Sequence, residues 1–262
     1  MKKLLCALFL GALAISGCSA SQPDRAADSA SPPPPAPATS AVRAAITAAV
    51  HGMAPQARVQ SILPSPIAGL YQVIAQGQVL YLTRDGRYVI QGDAFDLKTH
   101  SALNSVTMDR LRREAIAKIA PDQMVRFAPA HPKYTVTVFT DVDCPYCRAF
   151  HANIAAINKL GIAVDYLFWP RTGLGTPSAQ KAVDVWCAPN RQAAMTAAFD
   201  GHEPRKAQCP SPVAHDFHLG VNLGVGGTPT IIADNGQILG GYVDPAELLR
   251  RLQAVHTSRQ SP

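Results

Sequence analysis

The residues whose types and spacing carry the clearest chemistry are a cysteine pair, Cys144-Pro145-Tyr146-Cys147. A Cys-x-x-Cys unit can open and close as a dithiol, or it can supply half of a metal site. The run before it, Tyr134 to Phe139, is rich in β-branched and aromatic residues and predicts a strand. The run after it predicts a helix. Cys144 then sits at a helix N-terminus, where the aligned peptide dipoles favour an anion. Such a position lowers a thiol from about 8.5 into the range of about 3.5–7.5. Cys144 is therefore the expected nucleophile, and Cys147, buried one turn in, the expected resolving thiol. A zinc site would need a second ligand pair at suitable spacing, and Cys187 and Cys209 do not form a Cys-x-x-Cys.

Other candidates carry weaker chemistry. His215 and His218, taken with His202 and Cys209, could suggest zinc, but solvated or capping roles suit them better. Gly224-Val225-Gly226-Gly227 has no helix or lysine after it, which argues against a phosphate loop. Asp141 and Asp143 flank the dithiol and are expected to cap and to turn rather than to transfer protons. We expect no cofactor and no metal.

The chain has 262 residues and a formal charge of +6. Lys2 and Lys3 begin a segment expected to be removed, which leaves a mildly basic +4 with no Lys/Arg run. Nothing in that distribution points to nucleic acid. Residues 1–17 predict an export signal: two lysines, then Leu4 to Ile15 almost wholly apolar, then small residues. Ala14-Ile15-Ser16-Gly17-Cys18 resembles the lipobox of bacterial lipoproteins, which implies cleavage before Cys18 and its lipidation. Several acyl chains would anchor stably where one is marginal. An ordinary signal peptide cut near Ala20 is the alternative. Ser19 after the cysteine leans towards the outer membrane. Residues 18–39, with Pro32 to Pro35 consecutive, predict an extended tether.

From Ser40, with that serine as N-cap, Val42, Ile46, Ala49 and Val50 repeat at helical spacing, and Gly52 with Pro55 stops the helix. Short strand-like runs follow at Arg58–Leu63, Gly69–Ala75, Val79–Thr83 and Arg87–Gln91, with Asp85-Gly86 as a hairpin turn. Residues 40–104 thus predict a small α+β unit, at a size where a lone core is marginal. Its edge at Val89-Ile90 could pair with another chain, or the unit could pack on the rest of this one. A charged helix with a narrow apolar stripe, Met108, Leu111, Ala115 and Ile119, is expected within a linker over 105–120. Residues 121–262 then predict β-α-β around the dithiol, a helical insertion, and β-β-α. Thr228-Pro229 precedes the last strand pair, Asn235-Gly236 turns it, and Asp244-Pro245-Ala246-Glu247 starts the final helix.

A Cys-x-x-Cys opening a helix inside β-α-β, followed far downstream by Thr-Pro and a hairpin, resembles thioredoxin-like oxidoreductases. That likeness implies a cis bond at Thr228-Pro229, with the Thr228 backbone placed beside the dithiol to hold an extended peptide. Pro145 and Tyr146 join Thr228 and Pro229 as the expected substrate-binding residues. With Pro66-Ile-Ala-Gly69-Leu-Tyr71, Gly86-Arg-Tyr-Val-Ile-Gln-Gly92, Val138-Phe-Thr-Asp141 and Gly226-Gly-Thr-Pro229 added, residues 40–255 look like a periplasmic disulfide isomerase of the DsbC type. The resemblance implies an α+β chain with a cystatin-like N-terminal dimerisation domain, a linker helix and a thioredoxin-like domain with a helical insertion. It further implies a homodimer, misfolded exported proteins as substrates, a DsbD-type membrane thiol reductase as partner, and a structural disulfide between Cys187 and Cys209. Closing about 23 residues, that bond is worth roughly 3 kcal/mol. One departure matters: DsbC-type enzymes usually carry Gly where this chain has Pro145. Cys-Pro-Tyr-Cys also occurs in DsbG-like reductases of sulfenic acids, so that activity stays open, as does a lipid-anchored holdase that needs no thiols.

Overall fold

The computed structural model describes residues 36–258. The expected export signal, Cys18 and the tether up to residue 35 lie outside them.

The N-terminal part is one helix on a curled antiparallel sheet. Helix α1 (Ser40–Met53) is capped by Thr39, whose hydroxyl accepts the Val42 N–H at 3.4 Å. Ser40, the expected cap, is the first helical residue instead. Strands β1 (Val59–Pro64), β2 (Leu70–Ala75), β3 (Gln78–Thr83) and β4 (Val89–Gln91) lie side by side in sequence order. Alternation along β2 sends Tyr71, Val73 and Ala75 against Val42, Ile46 and Val50 of α1. Ile74, on the other face, meets Val79, Tyr81 and Met108. A two-stranded ribbon follows, β5 (Phe95–Asp96) with β6 (Ser101–Ala102).

Helix α2 (Leu103–Ile116) starts before the expected helix, because its first N–H finds the Ala94 carbonyl at 2.8 Å rather than a side-chain cap. The predicted apolar stripe divides between two cores. Met108 and Leu111 pack on the N-terminal sheet, while Ala115, Ile116 and Ile119 pack below the C-terminal sheet. A buried polar chain fixes the first contact: Thr107 donates to Gln72, Gln72 to the Tyr81 hydroxyl, and Tyr81 to Asn104. Arg112, expected on the exposed side of this helix, is buried. Its Nε donates to the Leu223 carbonyl at 3.0 Å, and its Nη1 meets Asp109 at 2.8 Å.

Two close approaches join the halves. The backbone at Gly77 lies against Gly224, where an added Cβ would come within 2.5 Å of the Gly224 nitrogen. The turn at Gly236 lies against α2, where a Cβ would fall 1.8 Å from the Asp109 carbonyl oxygen.

The C-terminal part opens with a single 3-10 turn at Pro121–Gln123, followed by β7 (Val125–Phe127) and β8 (Tyr134–Thr140). Next come α3 (Pro145–His151), α4 (Ile154–Lys159) and β9 (Ile162–Phe168). The helix expected after the dithiol is thus broken at Ala152-Asn153, where the Asn153 side chain donates back to the Ala149 carbonyl. The insertion comprises α5 (Pro177–Trp186), α6 (Arg191–Phe199) and α7 (Val213–Asn222). Strands β10 (Thr230–Ala233) and β11 (Ile238–Gly240) and helix α8 (Pro245–Ser258) finish the fold. Asp244 caps α8 by accepting the Ala246 and Glu247 N–H groups, whereas the Glu247 carboxylate turns away to Arg250 and Arg251.

The sheet order is β11-β10-β8-β9-β7, with β8 and β9 parallel and the other neighbours antiparallel. Helices cover both faces, so all seven residues of β9 are buried and its apolar run is nearly continuous. The exception, Asp165, takes both oxygens to Arg126 of the edge strand β7.

Candidate functional site

The site forms where the parallel strands β8 and β9 end on the same edge. The chain leaving β8 makes the turn Asp141–Asp143, then enters α3 with Cys144 as N-cap and Pro145 as the first helical residue. Proline suits that position because its fixed φ is helical and its missing N–H is not needed there. The Thr228–Pro229 peptide is cis and brings the loop before β10 over the dithiol. The Cys144 thiol donates to the Thr228 carbonyl at 3.2 Å. The sulfurs of Cys144 and Cys147 are not bonded to each other. Cys147 is buried as expected; Cys144 is buried too, beneath the Thr228 loop.

The two thiols differ in acidity. Burial opposes ionisation at Cys144, but the Thr228 side chain, the Cys147 N–H and S–H and the Tyr146 N–H outweigh it and hold this thiol below its ordinary value. At Cys147 burial wins and pushes the thiol up to about 12. Two hydroxyls frame the pair. Thr228 Oγ1 and Thr140 Oγ1 are buried without a hydrogen-bond partner. A buried unpaired donor is unfavourable, and each hydroxyl gains an acceptor when the thiol it faces, Cys144 or Cys147, becomes an anion.

A polar cluster holds the turn. The buried Asp141 carboxylate accepts from the Asp143 N–H, the Ser178 hydroxyl at 2.7 Å, and both the N–H and Nε of Arg171 at 3.0 Å. Burial would raise the Asp141 carboxyl, but these donors win and keep it ionised below the usual value. Asp143 pairs with Lys181 at 3.0 Å and with Arg148 at 3.7 Å. Both aspartates serve the turn, as expected, but neither caps α3, whose N-cap is Cys144 with no side-chain hydrogen bond. Arg171, Ser178, Lys181 and Arg148 escaped the sequence reading. The signal for Arg171 was present, since residues after two adjacent parallel strands must share an edge. His151 was missed as well. It is buried on α3 between the Tyr166 hydroxyl and the Thr196 hydroxyl, each at 3.0 Å, and burial lowers it to about 4.

The predicted peptide-contacting residues lie together around Cys144. Tyr146 projects into solvent at 64% exposure, and Leu174 and Tyr242 are further exposed apolar side chains. Cys187 and Cys209 form a disulfide that ties the end of α5 to the chain before α7, so Cys209 is not a free ligand for the histidines near it. Beside it the Trp186 indole donates to the Pro210 carbonyl and carries the Arg191 guanidinium on its face.

Comparison with known proteins agrees with this geometry. Residues 120–256 match the model of a thioredoxin-like domain, and residues 26–107 that of the disulfide bond isomerase protein N-terminal domain. The thiol:disulfide interchange protein DsbC of Dickeya dadantii is 36% identical over 197 residues, which cover 75% of this chain and 82% of that protein. The chain belongs to the DsbC family. It is accordingly a thiol:disulfide oxidoreductase of the disulfide-isomerase type with two family domains, as its motifs implied. DsbC of Escherichia coli (strain K12) is 36% identical over 187 residues, covering 71% of this chain and 78% of its own. A solved disulfide interchange protein from Neisseria gonorrhoeae aligns with 55% of this chain and 100% of its own, at 29% identity and a TM-score of 0.46.

Proposed function

We propose that this protein reshuffles non-native disulfides in exported proteins, with Cys144 as nucleophile and Cys147 as resolving thiol. The observation that carries this reading is the contrast between the paired thiols: Cys144 held acidic beside the cis-proline loop, Cys147 held protonated. Cys144 thiolate attacks one sulfur of a substrate disulfide, and a mixed disulfide forms as a substrate thiolate leaves. In isomerisation another substrate thiolate attacks the mixed disulfide on the substrate sulfur. A new substrate bond forms, the Cys144 thiolate leaves, and no net electrons are exchanged. In reduction Cys147 gives up its proton and attacks Cys144, which releases a reduced substrate and closes Cys144–Cys147. Reopening that disulfide takes two electrons, which a DsbD-type membrane thiol reductase would supply.

Thr228, Pro229, Pro145 and Tyr146 hold the peptide in this scheme, with the Thr228 backbone offered to an extended substrate. We assign dimerisation to residues 40–104, linkage to 105–120 and catalysis to 121–262. The homodimer is supported by the free outer edge of β4, where Tyr88, Val89 and Ile90 are exposed apolar residues. The periplasm is supported by the Cys187–Cys209 disulfide, which suits an oxidising compartment. Lipidation at Cys18, with the outer membrane favoured, rests on the lipobox-like sequence and Ser19.

Refolding of scrambled ribonuclease is the test. Cys144→Ser abolishes recovery of native enzyme; recovery equal to wild type would sink the proposal. The motif Cys-Pro-Tyr-Cys also keeps sulfenic acid reduction as a second activity, to be assayed on a sulfenylated model protein.

A further inference from the structure

Among the cations clustered around Cys144, Arg171 is the one paired with the buried Asp141. The charged groups facing the dithiol come from four segments: Asp141 and Asp143 from the turn, Arg148 from α3, Arg171 from the chain after β9, and Lys181 from α5. Glu203 reaches Lys181 from solvent and is largely exposed. Arg148 and Lys181 both address the Asp143 carboxylate, and Arg148 Nε also donates to the Val142 carbonyl at 3.1 Å. Arg171 addresses the turn itself: its N–H and Nε bind Asp141, and its Nη2 donates to the Asp143 carbonyl at 3.2 Å. That carbonyl belongs to the peptide that carries Cys144. The three cations are thus matched by three carboxylates, Asp141, Asp143 and Glu203, and Arg171 is the cation tied to the peptide that carries Cys144.

We propose that Arg171 is a positioning residue whose fixed positive charge, tied to Asp141 and to the Asp143 carbonyl, stabilises the Cys144 thiolate. The inference rests on Cys144 being the nucleophile. Burial alone would make Arg171 a weaker base; its bond to Asp141 and the negative charge on Cys144 reverse this. Asp141 then has the opposite electrostatic effect. It holds the guanidinium in place while offsetting part of its charge.

Two roles are separable by sign. If the Arg171–Asp141 pair only shapes the turn, removing either end disturbs Cys144 in the same direction. If the charge acts, the two substitutions move the thiol in opposite directions. The measurement is a pH titration of thiolate absorbance on the reduced full chain, with the signal assigned by its loss in Cys144→Ser. A nearby opposite charge is worth about 1–3 pKa units. Arg171 is partly exposed and shared with Asp141, so the lower end applies. Arg171→Gln raises the Cys144 midpoint by about one unit, a tenfold loss of thiolate on the acid side of the titration. Arg171→Lys keeps the charge without the fork and moves the midpoint less than half as far. Asp141→Asn lowers the midpoint, and the double variant lies between the two singles.

An unchanged midpoint in Arg171→Gln overturns the proposal, as does a rise in Asp141→Asn. If Arg171→Gln fails to fold, the sign in Asp141→Asn decides alone. A titration that survives in Cys144→Ser refutes the nucleophile assignment and this proposal with it. A titration lost there but indifferent to Arg171 refutes this proposal only.

Discussion

Replacing Gly236 by alanine tests whether the linker helix is docked on the catalytic fold. Gly236 has φ +90 and turns β10 into β11 with its surface against α2. Two penalties are expected. Any L-residue at a left-handed φ costs about 1–2 kcal/mol. The new methyl would also lie 1.8 Å from the Asp109 carbonyl oxygen and 2.9 Å from the Arg113 nitrogen. Both are backbone atoms, so no side-chain rotation relieves the overlap. The turn and the helix must part by roughly 1.5 Å to restore ordinary contact. That movement loosens Ala115, Ile116 and Ile119 from Ile232 and Ile238. Overpacking of this kind adds about 1–3 kcal/mol. Gly175→Ala is the control: its φ is +75 and nothing lies within 4 Å of its added methyl. Urea unfolding should show a loss of about 2–5 kcal/mol for Gly236→Ala and about 1–2 kcal/mol for Gly175→Ala, the difference being the overpacking penalty. Equal losses in the two variants would refute the docking.

Replacing both Cys187 and Cys209 by serine should remove roughly 3 kcal/mol of stability in non-reducing urea titrations, from loop closure alone, with the Cys144 titration unchanged. His151 has its folded pKa lowered, by burial first, from 6.5 to about 4. The unfolded chain therefore binds the extra proton first, so stability falls as pH drops from 6.5 towards 4, by about 3 kcal/mol in all. His151→Gln should flatten that limb of a stability profile, and an unchanged slope would exclude His151 as its source. On the β4 edge, where Ile90 is 54% exposed, Ile90→Lys should convert a dimer to a monomer in sedimentation while leaving the thiol titration intact.

The central sheet was legible because its signals are local. Residues Tyr134–Thr140, Ile162–Phe168 and Thr230–Ala233 are short runs rich in β-branched and aromatic residues, and each is a strand. The apolar stripe of the linker helix was legible for the same reason. What the periodicity could not give was the partner of each polar residue. Arg112 lies on the charged side of its helix by pattern, yet it is buried where its Nε donates to the Leu223 carbonyl, far along the chain. The cap of α1 is Thr39 rather than Ser40, two adjacent residues that can both cap, so composition alone does not choose between them. His151 and Ser178 carry no spacing signal at all; their roles come from α6 and from the turn at Asp141, brought together by the insertion.

The same distinction applies at the dithiol. The Cys-Pro-Tyr-Cys motif specifies a nucleophile at a helix start, but not how long a mixed disulfide survives there. That lifetime depends on Cys147, which must ionise before it can displace the substrate. Burial holds it at about 12, while Cys144 is held below its ordinary value. A thiolate at low abundance attacks slowly, even though a more basic thiolate is intrinsically more nucleophilic. In the proposed scheme this leaves the mixed disulfide open to attack by a substrate cysteine. The unpaired Thr140 hydroxyl marks the limit of that delay. It opposes burial at Cys147 by offering the thiolate a hydrogen bond, so the escape route to a reduced substrate stays open. In the proposed scheme, burial of Cys147 therefore favours exchange by a substrate cysteine over release of a reduced substrate.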